Sequence, residues 1–235
     1  MKKKILFVTF CVSLAIWSCQ NNQSADSSFK DLERMESKIL KSVSDIETYR
    51  EGLEQILAES PEGENAPRAS FKLAKLNEVF GHYEKALDYY THLISLFPGD
   101  SLSGDGLFNL AQIYELHLEQ EKKAITAYQQ LITLYSSNKS VITAYLKLGQ
   151  LYCKQNDWTQ GLATFQLLIK KYPENNLCDD VQFRIADILD HQLKNSSEAL
   201  TSYQDLIKIY PGSSWAAQAE TRIKQLSQGG EHHEN

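Results

Sequence analysis

Residues 145–173 read YLKLGQLYCKQNDWTQGLATFQLLIKKYP, and the spacing inside this stretch decides the fold. Tyr145, Leu148, Gly149 and Tyr152 recur at three- and four-residue intervals, which puts them on one stripe of a helix. Asn156-Asp157 then breaks the pattern, and a second stripe follows with Gly161, Phe165 and Leu167-Leu168. Tyr172-Pro173 ends it, because proline lacks the amide that a continuing helix needs. A small residue on each helix lets two axes approach to about 8–9 Å, and the aromatic four residues later fills the wedge beyond the contact. The stretch therefore predicts a tight antiparallel helix pair.

Outward from it, the same elements recur. The closing turns are Ser60-Pro61, Phe97-Pro98, Tyr135-Ser136, Tyr172-Pro173 and Tyr210-Pro211, spaced by 37, 38, 37 and 38 residues. Each interior begins with an apolar-small pair: Leu73-Ala74, Leu110-Ala111, Leu148-Gly149 and Ile185-Ala186. A second small residue follows at Ala86, Ala124, Gly161 and Ala199, then an aromatic at Tyr90, Tyr128, Phe165 and Tyr203. Breakers separate the two helices at Gly81-His82, Asn156-Asp157 and Asn195-Ser196. Internal repetition at this period predicts stacked helix pairs, each burying its face only against its neighbours.

The pattern, clearest in Tyr145, Leu148, Gly149, Tyr152, Gly161, Phe165 and Pro173, resembles the tetratricopeptide repeat. The period exceeds the family's usual length of about 34. In this it is similar to bacterial outer-membrane-associated members, among them the Tol–Pal-linked coordinator proteins and the lipoproteins of the β-barrel assembly machinery. The resemblance implies an all-α fold, a right-handed α-solenoid of tandem antiparallel helix pairs. The expected units are a degenerate first pair over 29–64 and repeats over 65–101, 102–139, 140–176 and 177–214. A capping helix over 215–227 and a disordered tail over 228–235 complete the chain.

The first pair has a rival reading. Leu32, Ile39, Ile46 and Leu53 recur every seven residues like a coiled-coil seam, and the coordinator proteins carry such a segment. Ser42 in the seam and the capping box Ser44-Asp-Ile-Glu47 favour a break and a helix pair.

The N-terminus carries an address. Lys2, Lys3 and Lys4 precede an apolar run, Ile5 to Trp17, that is shorter than the roughly 20 residues a membrane span needs. This is the layout of a secretory signal over residues 1–18. Ile16-Trp17-Ser18-Cys19 resembles the lipobox of bacterial lipoproteins, which implies lipidation of Cys19 and a polar tether over 19–28. Gln20 does not resemble an inner-membrane retention signal, so the expected location is the outer membrane, facing the periplasm.

Charge narrows the partners. The chain carries −6, and loss of the three lysines takes it to −9, which argues against nucleic acid and against a polybasic grip on lipid. The membrane is expected to be met through the lipid alone, and self-association remains possible. No phosphate loop, HExxH, nucleophile elbow or CxxC is present, and the histidines are scattered. No metal or cofactor is expected, nor an enzyme. Cys153 and Cys178 fall at opposite ends of neighbouring first helices, too far apart for the roughly 7 Å reach of a disulfide.

What remains is a surface. The resemblance implies a concave wall lined by a stripe on the first helices: Phe71, Lys75 and Glu78; Phe108, Gln112 and Glu115; Leu146 and Gln150; Phe183, Asp187 and Asp190. Aromatic side chains in a groove anchor peptides and helices. The expected function is a lipid-anchored envelope scaffold of the Tol–Pal coordinator type. An adaptor subunit of the β-barrel assembly machinery is the alternative. A third reading, a small-ligand or catalytic site, would draw on Lys75, Glu115, Asp187 and Asp190.

Overall fold

The structure is a computed structural model that describes residues 29–33 and 43–230. The signal segment, Cys19, the tether and residues 231–235 lie outside the described residues. Every regular element among the described residues is helical. After a helical turn at 29–33 come α1 (Val43–Glu59), α2 (Ala66–Val79), α3 (Tyr83–Leu96), α4 (Ser101–Leu116) and α5 (Glu121–Leu134). Then follow α6 (Val141–Lys154), α7 (Trp158–Lys171), α8 (Cys178–Asp187), α9 (Ser196–Ile209) and α10 (Ala216–Gly230). The helices form two compact units, one ending at Gln120 and the other beginning at Glu121. Within each, every helix packs on the next, as tandem helix pairs of the α-solenoid class do.

Four of the helices, α3, α5, α7 and α9, are each 14 residues long. In each the fourth residue is the small one, Ala86, Ala124, Gly161 or Ala199, and all four are buried. The aromatic four residues on, Tyr90, Tyr128, Phe165 or Tyr203, is buried as well, which contributes about 1.5–3 kcal/mol per ring. In the α6–α7 pair both small residues are glycine. A Cβ on Gly149 would lie 2.3 Å from Phe165 Cε1, and one on Gly161 would lie 2.5 Å from Cys153 Sγ. The missing methyls make the sockets that the ring and the thiol occupy.

The alternation of 37 and 38 residues has a local cause. In each of the four repeats the turn after the first helix holds a residue with positive φ: Gly81, Glu119, Asn156 or Lys194. From the small residue of the first helix to this one is 7 residues in the shorter repeats (Ala74 to Gly81, Gly149 to Asn156) and 8 in the longer (Ala111 to Glu119, Ala186 to Lys194). All the other spacings are constant. In the shorter repeats His82 N–H donates to Asn77 O at 2.8 Å and Asp157 N–H to Tyr152 O at 2.9 Å, the six-to-one bond of a Schellman close. In the longer ones the extra residue widens the last turn, with Leu118 N–H donating to Ile113 O at 3.1 Å and Leu193 N–H to Ile188 O at 2.9 Å. Directly after α8 this widening is a π-helical turn over Ile188–Gln192. The breaker expected at Asn195-Ser196 thus sits one residue late: Lys194 takes the left-handed conformation, and Asn195 caps α9 by accepting from Glu198 N–H at 3.2 Å.

At the start of the described chain, Phe29 and Leu32 bury against Tyr49, Leu53 and Ile56 of α1 and Ala69 and Leu73 of α2. A Cβ on Gly52 would lie 2.7 Å from Leu32 Cδ2. One continuous helix would hold positions 32 and 52 about 30 Å apart. Residues 29–33 therefore fold back on α1 as a helix pair does, while residues 34–42 lie outside the described residues. At the other end α10 continues to Gly230, past the expected stop at 227. Ser227 and Gln228, just past the last apolar residue Leu226, are exposed, which is why the apolar pattern ended before the helix did.

Candidate functional site

In the first unit, α2 carries Phe71, Lys75 and Glu78, and α4 carries Phe108, Gln112 and Glu115. All six are half-buried. Phe71 sets its ring edge-on against Tyr90 of its own pair, with centroids 5.9 Å apart and planes at 65°, so one side of the ring is held and the other is open. Glu78 is the centre of a polar bridge. It accepts from Lys75 Nζ at 3.0 Å and from the Tyr90 hydroxyl at 2.9 Å, and that hydroxyl accepts from Asn109 Nδ2 at 3.0 Å. Burial, and then Glu78, push the Tyr90 phenol well above its ordinary range, so it stays protonated and donates. Phe71 and Lys75 also line a cleft of about 460 Å³, which Tyr49, Arg68, Lys72 and Leu76 complete.

In the second unit the stripe holds Leu146 and Gln150 on α6, then Phe183 and Asp187 on α8. Phe183 is clasped between two rings: it stacks on Trp215 at 4.5 Å and 19°, and tilts against Tyr203 at 5.8 Å and 60°. Gln150, Phe183 and Asp187 line a cleft of about 330 Å³ together with Cys153, Trp158 and Trp215. Leu146 is half-buried and stands outside this cleft. Asp187 lies 3.0 Å from His191 Nδ1.

Asp190 corrects the expectation for the stripe. It sits in the π-helical turn, is only 7% exposed, and its carboxylate accepts from Arg222 Nε at 2.9 Å and from Arg222 Nη2. It is tied to α10 and does not face an open groove. Burial, with Asp187 and Asp190 nearby, pushes the neighbouring Tyr203 phenol up to about 12.

The two polar clusters occupy the same repeat positions. Glu78, Tyr90 and Asn109 of the first unit correspond to Asp190, Tyr203 and Arg222 of the second. Between α6, α7 and α8 the corresponding residues are Cys153, Phe165 and Arg184, and no such bridge can form there. Arg184 Nε instead donates to Asp180 Oδ2 at 2.7 Å, one helical turn back. The second unit's cleft opens at this place. Cys153 and Cys178 are both free thiols, and burial raises both above the ordinary thiol range. Among the described residues no group of three or more His, Cys, Asp or Glu side chains is placed to hold a metal ion. No helix among them is long and apolar enough to cross a membrane.

The sequence pattern located Phe71, Lys75, Gln150, Phe183 and Asp187 in the clefts but missed Trp158, Trp215, Arg68, Lys72 and Tyr49. Trp215 was legible only as the first residue of the expected capping helix, with nothing to aim it at Phe183.

Comparison with known proteins gives the fold the same reading. The chain is similar to a MamA protein of known structure, at 16% identity over 80% of this chain and 92% of that one, with a TM-score of 0.57. A tetratricopeptide repeat protein from Parabacteroides merdae aligns at 17% identity over 88% and 74%, with a TM-score of 0.58. YrrB, described as a tetratricopeptide repeat protein with an unusual peptide-binding site, aligns at 19% identity over 84% and 99%, with a TM-score of 0.54. The tetratricopeptide repeat profile matches four times, over residues 68–100, 105–138, 143–175 and 180–213, more than half of the 235 residues. With helix pairs, small-residue contacts and wedge aromatics all in the repeat register, the chain belongs to the tetratricopeptide repeat family.

Proposed function

We propose that this protein is a lipid-anchored scaffold of the bacterial cell envelope that holds a protein or peptide partner on the first-helix faces of its repeats. One observation carries the binding role: in both units the stripe places a half-exposed ring, Phe71 or Phe183, beside a cleft, held from behind by a buried tyrosine. Phe71, held on one side and open on the other, and Phe183, clasped between Tyr203 and Trp215 where it lines its cleft, offer pre-ordered apolar contact at little entropic cost. YrrB, with the same fold, is described as having a peptide-binding site. The anchor rests on the sequence: a lysine start, a short apolar run, and Ile16-Trp17-Ser18-Cys19. The Tol–Pal coordinator role rests on the longer repeats and the Tyr-Pro turns at 172–173 and 210–211.

Two measurements test this. Metabolic labelling with palmitate should mark the wild-type chain and not Cys19→Ser, and the variant should leave the membrane fraction; unlabelled wild-type protein would remove the anchor. Phe71→Ala with Phe183→Ala should lose a co-purifying partner while the helical circular dichroism stays unchanged. Retention of the partner would move the binding face elsewhere.

A further inference from the structure

We propose that the end of the first unit where α2 and α4 finish docks a cationic amphipathic segment of a partner protein, an apolar side chain flanked by arginines or lysines. This surface adjoins the first cleft at Val79 and otherwise lies beyond the stripe described above. Three of the four large apolar side chains exposed among the described residues of this unit belong to it: Val79 at 76%, Phe80 at 51% and Leu116 at 54%. Val79 and Leu116 hold one repeat position, five residues past Ala74 and Ala111, where the second unit has Lys154 and His191. Phe80 stacks on His82 with centroids 6.4 Å apart, and Tyr83 of α3 stacks on His117 at the end of α4 at 4.1 Å and 14°, so rings join the two helix ends. Beside Phe80 lies a pit of about 110 Å³, which Ile46, Leu76 and Asn77 help to line. Single exposed apolar residues are ordinary, but a set of them with a pit alongside marks a contact surface.

Charge selects the occupant. The described residues of the first unit hold six lysines and arginines against sixteen carboxylates, so ten carboxylates lack a cation however the pairs are drawn. Arg34, Lys38 and Lys41, outside the described residues, would neutralise three of them at most. The deficit is concentrated here: Lys85 is the one lysine or arginine between Leu76 and Gln120, against seven carboxylates. Lys75 holds one of these, Glu78, at 3.0 Å, and pairing Lys85 with another would still leave five. Glu84 and Asp88 lie one turn apart on α3, both exposed. Burial, and then these two carboxylates, push up the phenol of Tyr114 on α4, one turn before His117, so their charge flanks the rings. An acidic edge with aromatic faces attracts arginine and lysine by charge and through the rings, and it repels anionic lipid. The described residues of the second unit hold twelve lysines and arginines against ten carboxylates, and Lys154 meets Glu121 there at 2.6 Å, so that unit offers no such edge.

The experiment uses three fluorescent amphipathic helical peptides with one leucine pattern and flanks of arginine, glutamine or glutamate. Anisotropy is read with the full chain, with Phe80→Ser/Leu116→Ser, with Glu84→Gln/Asp88→Asn and with Phe71→Ala. The four residues of the two double variants are exposed, and circular dichroism checks that each variant keeps its fold. The arginine peptide should bind about tenfold tighter than the glutamate peptide and lose that advantage in the carboxylate variant and in high salt. Phe80→Ser/Leu116→Ser should weaken it about tenfold, and Phe71→Ala should leave it unchanged. Equal binding of all three peptides overturns the proposal, as does no binding of the arginine peptide. Binding that ignores Phe80→Ser/Leu116→Ser and falls with Phe71→Ala also overturns it, by moving the peptide to the groove, and leaves the scaffold reading intact. A dimer in sedimentation velocity that Phe80→Ser/Leu116→Ser dissolves overturns it by naming a second copy as the occupant.

Discussion

Gly149→Ala should be the costliest single methyl that can be added to the second unit. A Cβ there would lie 2.3, 2.7 and 2.8 Å from Cε1, Cδ1 and Cζ of Phe165. The ring is buried against Gly149 itself, so it can yield only by leaving its packed position toward the cleft that it lines. Overpacking of this kind costs about 1–3 kcal/mol. Alanine also helps the helix by up to about 1 kcal/mol, so the net loss in a single variant understates the clash. A double-mutant cycle with Phe165→Leu removes that ambiguity, because the propensity gain appears in both arms and cancels. Phe165→Leu alone leaves a cavity and costs about 1–3 kcal/mol. With the ring gone the new methyl has room, so the double variant should be more stable than the sum by about 1 kcal/mol or more. Urea unfolding followed by circular dichroism reads all four proteins. A neutral Gly149→Ala together with zero coupling would refute close approach of α6 and α7 as the source of stability.

Three other predictions follow from the same geometry. Arg222→Met leaves the buried Asp190 carboxylate without its partner and should cost about 1–4 kcal/mol, much of it recovered by adding Asp190→Asn; equal losses in the single and double variants would contradict the pairing. Deletion of His191 converts the longer last repeat to the shorter type and should cost about 1 kcal/mol or less, whereas deletion of Lys147 in mid-α6 turns every later side chain by about 100° and should abolish the thermal transition. Both thiols should alkylate slowly at neutral pH, since burial raises each above its ordinary range; Cys153, half-exposed, should react first, and Cys178, whose thiol donates to Tyr172 O at 3.0 Å, only as the unit opens. Peptide-resolved mass spectrometry after iodoacetamide gives the order, and faster labelling of Cys178 would overturn the assignment.

The architecture was legible because it is written in local spacings. Small residues at 86, 124, 161 and 199 and aromatics four positions later state the helix contacts directly, and the structure buries all of them. The uneven period was visible but not its cause, since a widened turn leaves no mark beyond one extra residue. The site was legible in part. Phe71 and Phe183 follow from repeat register, but the polar row does not, because its fate depends on the next helix. Glu78 meets Tyr90 and through it Asn109, while Asp190, at the same register, is taken by Arg222. Trp215 and Tyr49 enter the clefts from elements outside the matched repeats, where no register applies.

Site-specific photocrosslinking in cells addresses the binding face most directly. A photoreactive residue at Phe71, Phe108, Leu146 or Phe183 is compared with one at exposed second-helix positions such as Lys85, Lys122 or Gln160. The account predicts adducts to a shared partner from the first-helix set and none from the second. Adducts only from Lys85, Lys122 and Gln160 would contradict it.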